Sequence, residues 1–191
     1  MHQAQRDPAT AVRASVFIGV SLDGFIARED GSIDWLNAHA DEPGGDYGYR
    51  AFFDSVDALV MGRNTYEVAR TFGEWPYGAK PVFVLTSRPL DIPAELADRV
   101  GTLSGPPGEI ARQLAERGFG HVYVDGGRTI QDFLAAGLIQ RMTITRLPVL
   151  IGTGIPLFGA VPHDVALRHV ETRAYANGLV QSTYEVVSAT D

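Results

Sequence analysis

The chain has 191 residues and a formal net charge of −7, with 16 Lys and Arg against 23 Asp and Glu. That length suits one domain with its own hydrophobic core, and the acidic balance speaks against a groove that neutralises nucleic-acid phosphates. No cysteine is present, which excludes disulfide scaffolds, thiolate zinc sites, cysteine nucleophiles and iron–sulfur clusters and fits a reducing cytoplasm.

Residues 1–14 are polar and lack the apolar run of a secretory signal, so they read as a mobile tail ahead of a single domain over 15–188. A first strand is expected over 16–20, followed by turns at Asp23-Gly24 and Asp30-Gly31. Next come a helix over 47–54, an apolar strand over 58–61, a helix over 65–71 and a strand over 81–85. Residues 108–117 carry a helical pattern with Ile110, Leu114 and the stem of Arg117 on one side. A strand over 121–124 then leads into a helix over 129–136, with Ile130, Phe133 and Leu134 at core spacing.

Strands that are apolar on both faces and separated by helices call for a mostly parallel, covered sheet. The chain then changes character. Residues 141–147 and 165–175 alternate, and Ala176-Asn177-Gly178 forms a hairpin turn into 179–187. The stretch 147–159 is apolar but broken by two prolines and three glycines; it is too short for a bilayer and reads as a buried strand end and loop. The fold class is therefore α/β: a three-layer α/β/α sandwich with a mostly parallel, mixed central sheet and an antiparallel C-terminal edge hairpin.

Two segments share one design: Met61-Gly-Arg-Asn-Thr-Tyr66 and Val124-Asp-Gly-Gly-Arg128 each run from an apolar strand through glycine into a helix. Side by side, such strand ends would put bare amides and helix N-termini into one crevice, an arrangement suited to a diphosphate. The spelling is not G-x-G-x-x-G, so an ordinary dinucleotide fingerprint is not what these residues support. The five histidines (His2, His39, His121, His163, His169) show no metal-ligand spacing, so no metal site is expected.

Together with Val20-Ser-Leu-Asp-Gly-Phe-Ile-Ala27, Val84-Leu-Thr-Ser-Arg88 and the 147–158 stretch, these segments resemble the dihydrofolate reductase-like superfamily, most closely its riboflavin-biosynthesis reductase branch. The resemblance covers about residues 16–187 and implies an NADPH-dependent reductase that passes hydride to a small heteroaromatic or carbonyl-type substrate. It also implies a homodimer, with 147–158 a candidate for part of the contact, and no membrane partner. A non-catalytic NADP(H)-binding module, acting as a redox-responsive or dimerisation domain, is the alternative.

On this resemblance Gly62, Arg63, Thr65, Gly126, Gly127, Arg128 and Thr129 hold the diphosphate, and the diglycine carries a cis peptide. Thr86, Ser87 and Arg88 follow the neighbouring strand, where the 2′-phosphate contacts lie; a plain turn entering Pro89 is the other reading. Val20 and Ala27, with Gly19, lie along the nicotinamide under a mobile loop over 21–27. Asp46 stands sixteen positions before Gly62, the spacing of the carboxylate that grips pterin in folate-reducing relatives, although after Gly44-Gly45 it better suits an ordinary helix cap. Trp35 and Tyr49 are candidates to wall the substrate, beside Tyr47, Phe52 and Phe53.

Overall fold

The computed structural model describes residues 12–40 and 45–187. Residues 1–11 of the expected tail lie outside the described residues, whereas Arg13 and Ala14 already belong to the first strand, β1 (Arg13–Ser21). A tight turn leads to the short β2 (Phe25–Ala27), then to helices α1 (Asp34–Ala40) and α2 (Tyr49–Asp54). The alternating body follows: β3 (Ala58–Gly62), α3 (Arg63–Ala69), β4 (Val82–Leu85), β5 (Val100–Leu103), α4 (Pro107–Glu116), β6 (His121–Asp125), α5 (Gly127–Ala135) and β7 (Arg141–Leu147). The chain closes with β8 (Ile155–Pro156), β9 (Leu167–Ala174) and β10 (Val180–Val186).

Eight strands form one sheet in the order β5-β4-β3-β6-β1-β7-β10-β9. From β5 to β7 every neighbour is parallel, and the β9–β10 hairpin adds antiparallel to β7. The three-layer reading with an antiparallel edge holds. Ala58, Leu59, Val60 and Met61 are all fully buried because the sheet is covered on both sides. Alternation along β3 sends Ala58 and Val60 toward α4 and α5, with Ile110, Leu114, Ile130 and Phe133. Leu59 and Met61 face the opposite core, with Tyr66, Tyr77, Val82, Val84 and Tyr123.

Local chemistry sets the helix limits. Pro107 opens α4, where its missing N–H costs nothing. Gly118 takes φ 87 beyond its end, its N–H donating to Ala115 O at 2.9 Å while Phe119 N–H donates to Leu114 O at 3.1 Å. Observed bounds differ from the expected ones by up to three residues, as fraying ends do.

Some elements depart from the expectation. β5, α1 and the separate β2–β8 pair add to it; β5 is hard to read because Gly101 interrupts its apolar run. The 147–158 stretch is not buried throughout: Leu147 and Leu157 are 2% exposed, but Leu150 is 68% and Phe158 47% exposed. Its backbone leaves the main sheet after Leu147 and pairs again only as β8, in the separate two-stranded β2–β8 sheet, so some of its apolar side chains lose their cover. Among the described residues no helix is long and apolar enough to cross a membrane.

Candidate functional site

A cleft of about 1130 Å³ lies outside the carboxyl ends of the parallel strands, where open α/β sheets place their ligands. That exceeds the roughly 300–1,000 Å³ of a pocket for one drug-sized molecule. At its centre β3 and β6 end side by side, with Met61 paired to Asp125. Each strand then turns through glycine straight into a helix.

Gly62 and Gly126 serve chiefly to let these two helix starts interlock. A Cβ on Gly126 would overlap Thr65 Oγ1, and Gly126 has φ 89, which side chains resist. A Cβ on Gly62 would stand 3.3 Å from Thr129 Oγ1. Thr65 and Thr129 thus each pack on the other segment's glycine. Neither helix start has a side-chain cap, so the first amides of α5 are left for an outside acceptor. The Gly126–Gly127 peptide is trans, contrary to the expected cis bond. Gly127 serves a third purpose: its Cβ would meet Ile155 Cγ2 at 2.9 Å and Ile26 Cδ1 at 3.0 Å, so β2 and β8 pack directly onto it.

The arginines divide by commitment. Arg63, expected to fork a phosphate, instead ties α3 to the loop after β4. Its NH2 nitrogen donates to Thr86 Oγ1 at 3.2 Å, Arg88 O at 3.1 Å and Pro89 O at 2.5 Å, while NH1 lies 3.5 Å from Glu67. Thr86 Oγ1 also accepts from Arg88 N at 3.2 Å, which shapes the turn and leaves Ser87 and Arg88 exposed at the rim. Residues 86–88 thus form a turn whose Thr86 and Ser87 line the cleft. Arg128 is 86% exposed and pairs with Asp132 at 3.0 Å.

The 21–27 loop is tied down rather than loose. Ser21 Oγ donates to Asp23 Oδ1 at 2.6 Å, and the same carboxylate accepts from Gly152 N at 2.8 Å and Ile151 N at 3.1 Å. These donors, Ser21 first, hold the Asp23 carboxyl below its ordinary pKa. Ala27 and Gly19 line the cleft; Val20 does not, because alternation along β1 turns it into the core at 3% exposure.

The other half of the cleft is aromatic. Phe17 lies 5.6 Å from Tyr49, and Phe52 meets Tyr123 edge-on at 5.0 Å. Tyr47, at φ 51, is clamped by the edge hairpin: Asn177 Nδ2 donates to its hydroxyl at 2.7 Å, and Gln181 Nε2 to its carbonyl at 3.1 Å. Tyr49 lines the cleft. Trp35 does not: it is 4% exposed and packs with Leu147 and Leu179, while the next two residues of α1, Leu36 and Asn37, line the cleft instead.

Asp46 sits at the mouth, exposed. Its oxygens accept from Gly48 N and Arg50 N, both at 3.0 Å, and the Gly48 amide leads in holding its pKa down. It starts α2 and is not a buried acid, because the backbone at 46–48 turns the carboxylate onto the helix. The more enclosed acid of the cleft is Asp125, half-buried at the end of β6. Enclosure by protein pushes its carboxyl up to about 6, against the pull of its one donor, Gly126 N at 2.8 Å. Its charge reaches the phenols of Tyr49, Tyr77 and Tyr123, whose ionisation is held off chiefly by burial. An acid closing an apolar strand ahead of a diglycine was the available signal for it.

The chain is 35% identical to YwjB of Bacillus subtilis (strain 168) over 165 residues, 86% of this chain and 92% of that one. A candidate riboflavin biosynthesis protein from Shewanella sp. PV-4 superposes with a TM-score of 0.86 at 39% identity, covering 93% of this chain and 100% of that one. Dihydrofolate reductase from Enterococcus faecalis, solved with NADP(H), shares the fold with a TM-score of 0.64 at 17% identity, over 92% of this chain and 97% of its own. With residues 14–181 matching the model of the RibD C-terminal domain, on strands and turns that build one two-part cleft, the chain belongs to the RibD C-terminal domain family.

Proposed function

We propose that the protein is a stand-alone NADPH-dependent reductase that passes hydride to a small heteroaromatic or carbonyl-type substrate. One observation carries the reading: the uncapped start of α5, interlocked with that of α3, opens into the same cleft as an aromatic pocket holding a half-buried acid. The cofactor, when bound, supplies the hydride; the chain's own residues bind, orient and keep water out. Amides at Gly127–Thr129 and the hydroxyls of Thr65 and Thr129 would meet the diphosphate, and exposed Ser87 and Arg88 would meet the 2′-phosphate. Ala27 and Gly19 would lie along the nicotinamide, and Tyr49 would wall the acceptor. The NADP(H) held by the Enterococcus faecalis enzyme on the same fold supports this choice of cofactor.

The test is binding of NADPH and NADH by calorimetry, then NADPH oxidation with a panel of pterins, flavins and ribosylaminopyrimidines. NADPH should bind more tightly than NADH, Arg88→Ala should narrow that ratio about tenfold or more, and at least one acceptor should turn over. An unaltered ratio would leave residues 86–88 as a turn alone. Tight binding with no turnover would favour the non-catalytic module. On the same reading the protein works as a cytoplasmic homodimer, and light scattering on the purified chain checks its assembly.

A further inference from the structure

We propose that Gln181 and Asn177 of the edge hairpin are positioning residues for the acceptor. They fix Tyr47 and Thr145, so the hairpin sets how firmly the aromatic half of the cleft grips a flat heterocycle. This rests on reading that half as the acceptor's end. Gln181 is 8% exposed and stands outside the cleft lining, yet both of its amide hydrogens go to residues that line it. Nε2 donates to Tyr47 O at 3.1 Å and to Thr145 Oγ1 at 2.9 Å, while Oε1 accepts from Tyr175 Oη at 3.3 Å. A buried amide with every hydrogen used holds its partners to one geometry.

Tyr47 needs such holding. Among the described residues it is the one non-glycine at positive φ, 51, and Gly48 follows at φ 83. Two left-handed residues in succession swing the chain from the cleft mouth into α2, which carries Tyr49 and Phe52. A bulky side chain is strained in that region, so its surroundings must impose it. The hairpin does so at three points. Gln181 takes the carbonyl, Asn177 Nδ2 donates to the hydroxyl at 2.7 Å, and Tyr175 meets the ring edge-on at 4.9 Å. The turn that offers these groups is itself closed: Gly178 N donates to Tyr175 O at 3.0 Å and Tyr175 N to Leu179 O at 2.9 Å. Leu179, beyond it, is buried against Trp35 and Leu147 and lines the cleft. The glycine turns that would hold the diphosphate lie elsewhere, after β3 and β6, with β1 standing between β6 and β7. Loss of the hairpin's grip should therefore loosen the acceptor and spare the cofactor.

The probe is lumazine (pteridine-2,4-dione), titrated calorimetrically into the full chain with and without NADPH. Gln181→Met keeps the reach of the side chain and removes its donors; it should weaken lumazine about tenfold while NADPH affinity holds. Asn177 supplies the rescue. Asn177→Leu should weaken lumazine about fivefold or more, and Asn177→Asp should recover most of that loss, because its carboxylate accepts from the Tyr47 hydroxyl. Circular dichroism checks folding; should the Met variant fail to fold, the two variants at half-buried Asn177 decide alone. Lumazine affinity unchanged in the Met variant, or in the Leu variant, overturns the proposal. So does an equal loss of NADPH, which would make the hairpin a general support of the fold, or an Asp variant as weak as the Leu one. Failure of the wild-type chain to bind lumazine overturns it as well. Should wild type bind lumazine but no NADPH, the reductase reading fails, and the Asn177 pair still decides the positioning.

Discussion

Asp125 closes a strand whose three middle residues are buried, and its ionisation is a cost that the fold carries in full above its pKa. In the unfolded chain an aspartate titrates near 3.8; here it titrates at about 6. Between those values the folded chain holds a proton that the unfolded chain has released. The favourable contribution is therefore complete below the unfolded value and lost as pH rises through about 6. Asparagine never ionises. Asp125→Asn should thus gain stability relative to wild type as pH rises from about 4 to about 7.5, by on the order of 2–3 kcal/mol. Urea unfolding of both chains at the two pH values measures this. A difference that stays constant with pH would mean that the carboxyl is solvated. Little of this was legible in the sequence, where Asp125 is one letter ahead of two glycines. Its charge reaches Tyr49, Tyr77 and Tyr123, and only the fold brings those groups to one place. Arg63 failed to read out for the same reason: the groups that occupy its guanidinium lie 23 to 26 positions away.

At the scale of elements, the sequence disclosed the strands with unbroken apolar runs and the helices with regular core spacing, because each pattern reports a face buried by a partner. It was silent where an element is held by a few polar contacts. The β2–β8 pair is the clearest case. It has three and two residues, too few for periodicity, and its position depends on Asp23, which gathers Ser21 Oγ and the amides of Ile151 and Gly152. Ile26 and Ile155 of the pair then rest on Gly127, so the clamp governs what covers the start of α5. Asp23→Ala should free both segments from each other while leaving the sheet alone. Hydrogen exchange should quicken at the amides of residues 21–27 and 149–157, with protection in β3 and β6 unchanged. Unchanged exchange in the two loops would show that side-chain packing on Gly127, rather than the carboxylate, holds them. Acidification through the depressed pKa of Asp23 should act in the same direction as the substitution.

For the whole molecule, the cleft is built on the strands that both cores share. β3 and β6 bury Val60 and Val124 in one core and Leu59, Met61 and Tyr123 in the other, and their ends carry the two glycine turns. A ligand gripped by both turns is consequently linked to unfolding of the entire sheet, not to a local opening. Mass action sets the size: a ligand present at 100 times its Kd and bound only by the folded chain contributes about 2.7 kcal/mol. For a chain of 191 residues each kcal/mol moves the midpoint by about 2–4 °C, so the shift should be roughly 5–10 °C. Under the proposed reading NADPH should raise the single unfolding transition by that amount, and NADH at equal concentration by clearly less. Scanning calorimetry across a series of NADPH concentrations tests this, since the midpoint should climb with the logarithm of concentration. A shift confined to one of two resolved transitions would place the ligand on a sub-region and contradict a cleft anchored in both cores.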